Sequence, residues 1–325
     1  MPDDVLLGID LGGTKVLALA ATPDGEVLAS HVAETPAGGS AERVVAAMAD
    51  TARASIAAAG IDPAAIAAAG VAAAGAIDAR EGVIVHSPHI PAMSNTPVGP
   101  MLAQRLGMRV SIGNDANLAA LGEQRYGVGA GAQDLVFLTI STGIGAGVII
   151  GGRLYTGGAG FAGEVGHMTV DAHGPYGESR TPGAWESLCA GKALARIARE
   201  RIEAGERSSL ASILHDTSQG ALAAPDVFAA FRAGDALARS VVENAVVYLG
   251  AGLTSIVNLL NPEKIIIGGG LSNEWDAYIA PAVALMREQS FAGIGRLTPV
   301  VPPALGVDAG ALGAVALARD TLALG

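Results

Sequence analysis

The sequence predicts an α/β protein of two lobes, and three observations predict it. Two apolar strands that each run into a tight glycine turn and a second strand, Val5-Leu-Leu-Gly-Ile-Asp-Leu-Gly-Gly-Thr-Lys15 and Leu138-Thr-Ile-Ser-Thr-Gly-Ile-Gly-Ala-Gly147, give each half its own hairpin. Half of the residues are apolar, but only 4% are aromatic and 45 are glycine, so the cores are built from Ala, Val, Leu and Ile and joined by many tight turns. A chain of 325 residues holds two modest lobes with separate cores and little more.

Taken in order, Val5 to Asp10, Lys15 to Ala21 and Val27 to Val32 read as strands, with Pro23-Asp-Gly25 turning between the last two. Ser40 offers an N-cap to a helix reaching about Ala59, with Val44, Val45, Met48, Ala52 and Ile56 on its inner face and Gly60 as its stop. Ile66 to Ala74 is a buried strand ending at Gly75, and Gly82 to His86 is a short one. Pro88 to Pro100 reads as a loop, followed by a helix to Leu106 and a strand from Arg109 to Ile112. That strand ends at Asn114-Asp115, where a helix to Tyr126 begins, so a carboxylate stands at a strand end and faces a cleft. Helices follow at Ala184 to Ala204, Pro225 to Arg232 and Ala236 to Leu260. Lys264-Ile-Ile-Ile-Gly-Gly-Gly270 is a buried strand entering a glycine turn and a helix. The lobes are placed at 1–113 and 114–308, and the last helix, about 309–322, is free to pack back on the first.

A net charge of −11 and a pI near 4.9 argue against nucleic-acid and anionic-membrane partners, which need a basic face. No apolar run reaches the length needed to span a bilayer, and Met1-Pro-Asp-Asp is the reverse of a basic signal-peptide start, so a cytoplasmic protein is expected. Cys189 is the only cysteine, which excludes an internal disulfide and a cysteine-based zinc site; its apolar helical surroundings suit a buried thiol.

The turn from Asp10 to Lys15 combines the elements of a phosphate site. Gly12 and Gly13 let the backbone approach phosphate oxygens, Thr14 adds a hydroxyl, Lys15 a cation, and Asp10 a carboxylate able to hold hydrated Mg²⁺. An Asp-capped hairpin is the plainer reading of the same residues. The turn is not a Walker loop, because no Gly-Lys-Ser/Thr opens a helix, and not a dinucleotide fingerprint, because a strand follows the glycines. With Thr142-Gly143 and Gly268-Gly-Gly270, the two hairpins suggest lobes that grip one polyphosphate. Glu164 and His167, three residues apart among glycines, suit a pocket wall but also a surface pair. Asn114-Asp115 is equally an ordinary helix cap, and Glu186 in a first helical turn equally complements the helix dipole.

The pattern resembles the actin-like ATPase superfamily and, within it, the ROK family of repressors, open reading frames and kinases. The resemblance rests on the 10–15 turn, Asn114-Asp-Ala-Asn-Leu-Ala-Ala-Leu-Gly-Glu123, Ser141-Thr-Gly-Ile-Gly, Glu164-Val-Gly-His167 and Asn261-Pro-Glu-Lys-Ile-Ile-Ile-Gly-Gly-Gly270, in this order and spacing. It implies a two-lobed, ribonuclease H-like fold with the active site in a cleft between the lobes, and ATP-dependent phosphorylation of a hexose. Asp115 would be the general base, with Gly75, Asn114, Glu164, His167 and Glu186 around the sugar. Asp10, Gly12, Gly13, Thr14, Lys15, Thr142, Gly143 and Gly268 to Gly270 would hold ATP, with Mg²⁺ reached by Asp10 through water. Homodimers or larger homo-oligomers are expected. Glu164 within Gly163-Glu-Val-Gly-His167 looks more like the glucokinase form than the fructokinase form, with N-acetylhexosamine, mannose and fructose kinases as alternatives and polyphosphate as another donor. A sugar-responsive repressor of the same family would carry a DNA-binding part before the first hairpin, and here the first strand starts at about Val5.

In one respect the chain departs from that pattern. Zinc-bearing members follow the equivalent of His167 with three cysteines, and a gap-free alignment puts Gly177, Ser179 and Ala184 in their places. No zinc site is expected, a substitute from His167, His173 and Glu178 being the remote alternative. Packing of Tyr176 and Trp185, with prolines restricting the chain, is expected to hold the 173–185 loop instead.

Overall fold

The computed structural model describes residues 5–177, 180–215 and 221–323. The chain forms two compact units, one of Met1–Phe137, Gly147–Gly163 and Pro303–Gly325, the other of Leu138–Ala146 and Glu164–Pro302. Residues 114–137 and 147–163, placed by sequence in the second lobe, fall in the first unit.

The first unit contains β1 (Val5–Leu11), β2 (Lys15–Ala21), β3 (Val27–Glu34), α1 (Ala41–Ala59), β4 (Ile66–Ala73), β5 (Ala76–Asp78), β6 (Val83–His86), α2 (Val98–Leu106), β7 (Arg109–Asn114) and α3 (Asp115–Tyr126). Its sheet runs β3-β2-β1-β4-β7, antiparallel through the first hairpins and parallel from β1 to β4 to β7. Parallel pairing brings the ends of β1 and β7 to the same edge, which is where Asp10 and Asn114 stand. On one face α1 buries Val44, Val45, Met48, Ala52 and Ile56 against Leu7, Ile9 and Val71, the stripe its periodicity predicts. Ser40 occupies the N-cap, but its hydroxyl makes no capping bond; it instead bonds Glu42 and lowers that carboxyl's pKa. Gly60 ends the helix at φ 66°, as expected.

The chain then forms β8 (Leu135–Ile140), β9 (Ile144–Ile150) and β10 (Arg153–Leu154), and the division between units falls inside β8 and β9. Next come α4 (Trp185–Cys189), α5 (Gly191–Glu203), α6 (Ala211–His215), α7 (Ala224–Arg232), α8 (Ala236–Leu260), β11 (Lys264–Gly268), α9 (Ala280–Gln289) and β12 (Val300–Val301), in a sheet ordered β10-β9-β8-β11-β12. Three expectations are corrected here. The helix predicted over 184–204 breaks at Ala190 (ψ 171°), because the amides of Gly191 and Lys192 bond the carbonyls of Ser141 and Thr142. The strand at 264–268 is followed by a 3-10 turn and a wide π turn before α9. Thirdly, α8 is long and apolar enough to cross a membrane; 56% of its most apolar stretch is buried within the fold, as in a core helix.

The last helix, α10 (Ala309–Ala323), belongs to the first unit and covers the other face of its sheet, burying Ala311, Leu312, Val315 and Ala318 against Leu6, Leu19 and Ala68. The approach is close enough that a Cβ on Gly8 or Gly70 would overlap the carbonyl of Ala311 or Ala314.

Candidate functional site

In the first unit, β1 delivers Asp10 to the sheet edge, and the hairpin to β2 turns over Gly12, Gly13 and Thr14. Gly12 N–H donates to the Lys15 carbonyl at 2.9 Å, closing the turn. Thr35 clamps it from outside, its amide donating to the Thr14 carbonyl at 2.9 Å and its hydroxyl to the Gly12 carbonyl at 2.8 Å. Among the described residues, the amides of Gly13 and Thr14 have no partner. Gly13, Thr14 and Lys15 are exposed, so the turn presents two donors, a hydroxyl and a cation to any anion.

Asp10 lies against the first turn of α10, where a Cβ on Gly310 would come within 2.7 Å of Oδ2. Only glycine leaves room for that carboxylate. Burial, and then repulsion from Asp115, push the Asp10 pKa from 3.8 up to about 7. A buried carboxylate beside a second carboxylate suits a hard cation, which would repay its desolvation. Among the described residues no three His, Cys, Asp or Glu side chains form a metal cage. Asp10 therefore fits a metal held mainly by water and phosphate, and not an all-protein site.

Asn114 is a true N-cap of α3: Oδ1 accepts from Ala116 N at 3.0 Å and Asn117 N at 3.2 Å. Its Nδ2 also donates to the Gly75 carbonyl at 3.1 Å, leaving one N–H for a ligand. Gly75 has φ 112°, and a Cβ there would strike the His86 carbonyl and approach Pro88 Cδ at 3.0 Å. Gly75 thus lets the 86–88 segment close over the end of β7. Asp115 is oriented by Ala116 N–H donating to Oδ1 at 2.9 Å. Its pKa is raised by burial, against which the Ala116 amide and His89 act. These residues, predicted separately, form one continuous cluster. Sequence reading missed Thr35, Gly310 and His89; a histidine between Pro88 and Pro91 in a proline-rich loop was the one available signal.

The second unit brings together Thr142, Gly143, Glu164, His167, Glu186 and Gly268 to Gly270. Ser141 N–H donates to the Gly143 carbonyl at 2.9 Å and closes the turn. Gly269, at φ 87°, sits against Ile140, where a Cβ would come within 2.5 Å of its carbonyl oxygen, and Gly270 lies beside Ser141 Oγ. The two glycine turns are therefore in contact. Glu186 links them to the remaining residues: Oε2 accepts from Ile144 N at 3.2 Å, and Oε1 lies 3.7 Å from His167 Nδ1. His167 Nε2 lies 3.7 Å from Glu164 Oε2. His167 Nδ1 is buried with no hydrogen bond, an orphan that a ligand hydroxyl would satisfy.

Beside this cluster, Trp185 is fully buried and donates through Nε1 to the Tyr248 carbonyl at 2.9 Å, while Tyr248 O–H donates to Asp171 Oδ2 at 3.1 Å. Tyr176 does not join it; at 75% exposure it contributes no packing, contrary to expectation, because the bridge from Tyr176 to Pro182 holds it at the loop's outer end. Gly177 and Ala184 are neighbours, a Cβ on the first lying 3.3 Å from that of the second. Glu178 and Ser179 lie outside the described residues. Cys189 is buried and its thiol pKa is driven far up by desolvation, so it is no nucleophile.

Known proteins with this arrangement include sugar kinases, and a ROK family transcriptional regulator also superposes, with a TM-score of 0.83 at 26% identity over 98% of this chain and 78% of that one. A glucokinase from Halalkalibacterium halodurans is 33% identical over 315 residues, 96% of this chain and 94% of that protein. The ROK hexokinase from Thermus thermophilus superposes with a TM-score of 0.83 at 33% identity, covering 99% of this chain and all of that one. A ROK family glucokinase from Streptomyces griseus, solved in complex with glucose and AMPPNP, superposes with a TM-score of 0.76 at 33% identity over 97% of this chain and 99% of that one. These neighbours share the two-lobed actin-like ATPase fold expected from sequence. The ROK family model matches residues 6–321, so the chain belongs to the ROK family.

Proposed function

We propose that this chain is an ATP-dependent hexokinase of the glucokinase type, which converts glucose to glucose 6-phosphate. The observation that carries the reading is Asp115, a carboxylate fixed at the start of α3 and made more basic by burial, in one cluster with an exposed, donor-rich glycine turn. Full-length identity of about a third to glucokinases, and the glucose and AMPPNP of the Streptomyces griseus complex, support it.

Asp115 takes the proton of the attacking sugar hydroxyl; its raised pKa makes that transfer more favourable near neutral pH. The Gly13 and Thr14 amides, the Thr14 hydroxyl and Lys15 hold phosphate oxygens. In the first unit Asn114, through its remaining N–H, and Gly75 meet sugar hydroxyls; in the second, Glu164, His167 and Glu186 offer hydroxyl partners of their own. Mg²⁺, which Asp10 fits through water, neutralises phosphate charge when bound. ATP as donor places the reaction in the cytoplasm.

A coupled ADP-release assay over glucose, mannose, fructose and N-acetylhexosamines, with ATP and with polyphosphate, tests the reading. Glucose with ATP should give the highest kcat/KM. Sugar binding without ADP release would favour a sugar-responsive regulator, and a preference for another hexose or for polyphosphate would replace the substrate named here.

A further inference from the structure

His89 has no part in the assignments above, yet it stands where the chemistry would occur. It is exposed, and among the described residues its imidazole makes no hydrogen bond or ion pair, so the fold does not use it. The segment that carries it is nevertheless fixed. Ser87 N–H donates to Ser94 Oγ at 3.0 Å, Ile90 N–H donates to Ser87 Oγ at 3.3 Å, and Ile90 and Met93 are buried on either side of Pro91. A histidine presented by a pinned loop, with its ring left unengaged, is a side chain held ready for a ligand.

Two contacts say which ligand. The stem of His89 covers the middle of the phosphate turn, a Cβ on Gly13 lying 3.1 Å from His89 Cβ and 3.8 Å from Cγ. Charge on His89 also reaches Asp115 and offsets part of the burial that raises its pKa. His89 is therefore near both the turn and the carboxylate.

We propose that His89 donates a hydrogen bond to the terminal phosphate of the nucleotide held at the Gly12–Thr14 turn, which makes it a further catalytic residue of the transfer. The proposal rests on the kinase reading. In the step, the bond from sugar oxygen to phosphorus forms as the bond from the bridging oxygen to that phosphorus breaks. The hydroxyl proton goes to Asp115, and His89 keeps its own proton throughout. A donor on non-bridging oxygens is strongest where negative charge gathers, so its loss falls on turnover more than on sugar binding.

The test compares wild type with His89→Ala and His89→Gln by steady-state kinetics and by calorimetric titration with AMPPNP and with ADP in the presence of Mg²⁺. His89→Ala should lower kcat by roughly 30-fold and weaken AMPPNP about 10-fold, with ADP affinity and the KM for glucose changed less than about 2-fold. His89→Gln keeps a donor and should recover part of both losses. Equal weakening of AMPPNP and ADP, a rise in the glucose KM alone, or wild-type values throughout would each overturn the proposal. The AMPPNP and ADP titrations need no sugar turnover, so a wild-type protein inactive on every hexose would sink the kinase reading while still deciding the role of His89.

Discussion

The two glycine turns look alike in sequence and are built for different loads. The turn at 12–14 is open: among the described residues its outer amides have no partner, Thr35 clamps it from behind, and buried carboxylates stand beside it. The turn at 141–143 is packed. Its Ser141 and Thr142 carbonyls accept the first amides of α5, Gly269 lies against its strand, and Glu186 covers Gly143. In the first, glycine serves approach by a ligand and the stress is electrostatic. In the second, glycine serves approach by the protein itself and the stress is steric.

The largest break in that contrast should come from Asp115→Asn, which preserves shape but cannot take a proton. Turnover should fall by roughly 100-fold to 1000-fold with little change in sugar affinity, measured by ADP release and by glucose titration. Near-normal turnover would remove Asp115 from the mechanism. Next comes Gly269→Ala, which needs a left-handed backbone and places Cβ 2.5 Å from the Ile140 carbonyl oxygen. It should cost about 3 kcal/mol in chemical denaturation. The matching change in the open turn, Gly13→Ala, meets only His89 Cβ at 3.1 Å and should cost less than about 1 kcal/mol while still weakening nucleotide. Equal costs would mean that the turns are not differently loaded.

A smaller effect is expected at His167. Its replacement by Ala removes an imidazole with no hydrogen bond on Nδ1, so hexose binding should weaken about 10-fold to 50-fold while the thermal midpoint shifts by less than ~2 °C. A collapse in stability would assign His167 to the scaffold.

The smallest effect isolates the electrostatic load. The folded-state pKa of Asp10 is raised from 3.8 to about 7, so the native state holds the proton more tightly than the unfolded chain. The stability this gives is fully present below about pH 4 and is lost as pH rises through about 7. Asp10→Asn should therefore raise the ligand-free thermal midpoint more at pH 8 than at pH 5, by about 3 °C. A pH-independent difference would show that Asp10 carries no such load.

Much of this was legible in the sequence because it is written in local rules. Period-3.6 spacing marked α1 and its buried face, Gly60 its end, and Asn114 the start of α3. The failures occurred where distant groups compete with local preference. Ala184 to Ala204 has helical spacing throughout, yet the carbonyls of Ser141 and Thr142 capture the amides after Ala190 and break it. Tyr176 and Trp185 are both large aromatics in one loop, but only Trp185 finds a buried acceptor for its N–H.

Sequence by itself determined the strand–turn–strand units, the residue types able to meet phosphate and sugar, and the absence of cysteine pairs, because each depends on neighbours a few positions apart. Tertiary structure alone decided that α10 closes the first unit's sheet with Gly310 against Asp10, that Gly75 and Pro88 bring His89 onto Gly13, and that Glu186 joins the second turn to His167. Those contacts span tens to hundreds of residues, so they follow from which backbones pack closely enough to exclude a Cβ and from no pattern along the chain.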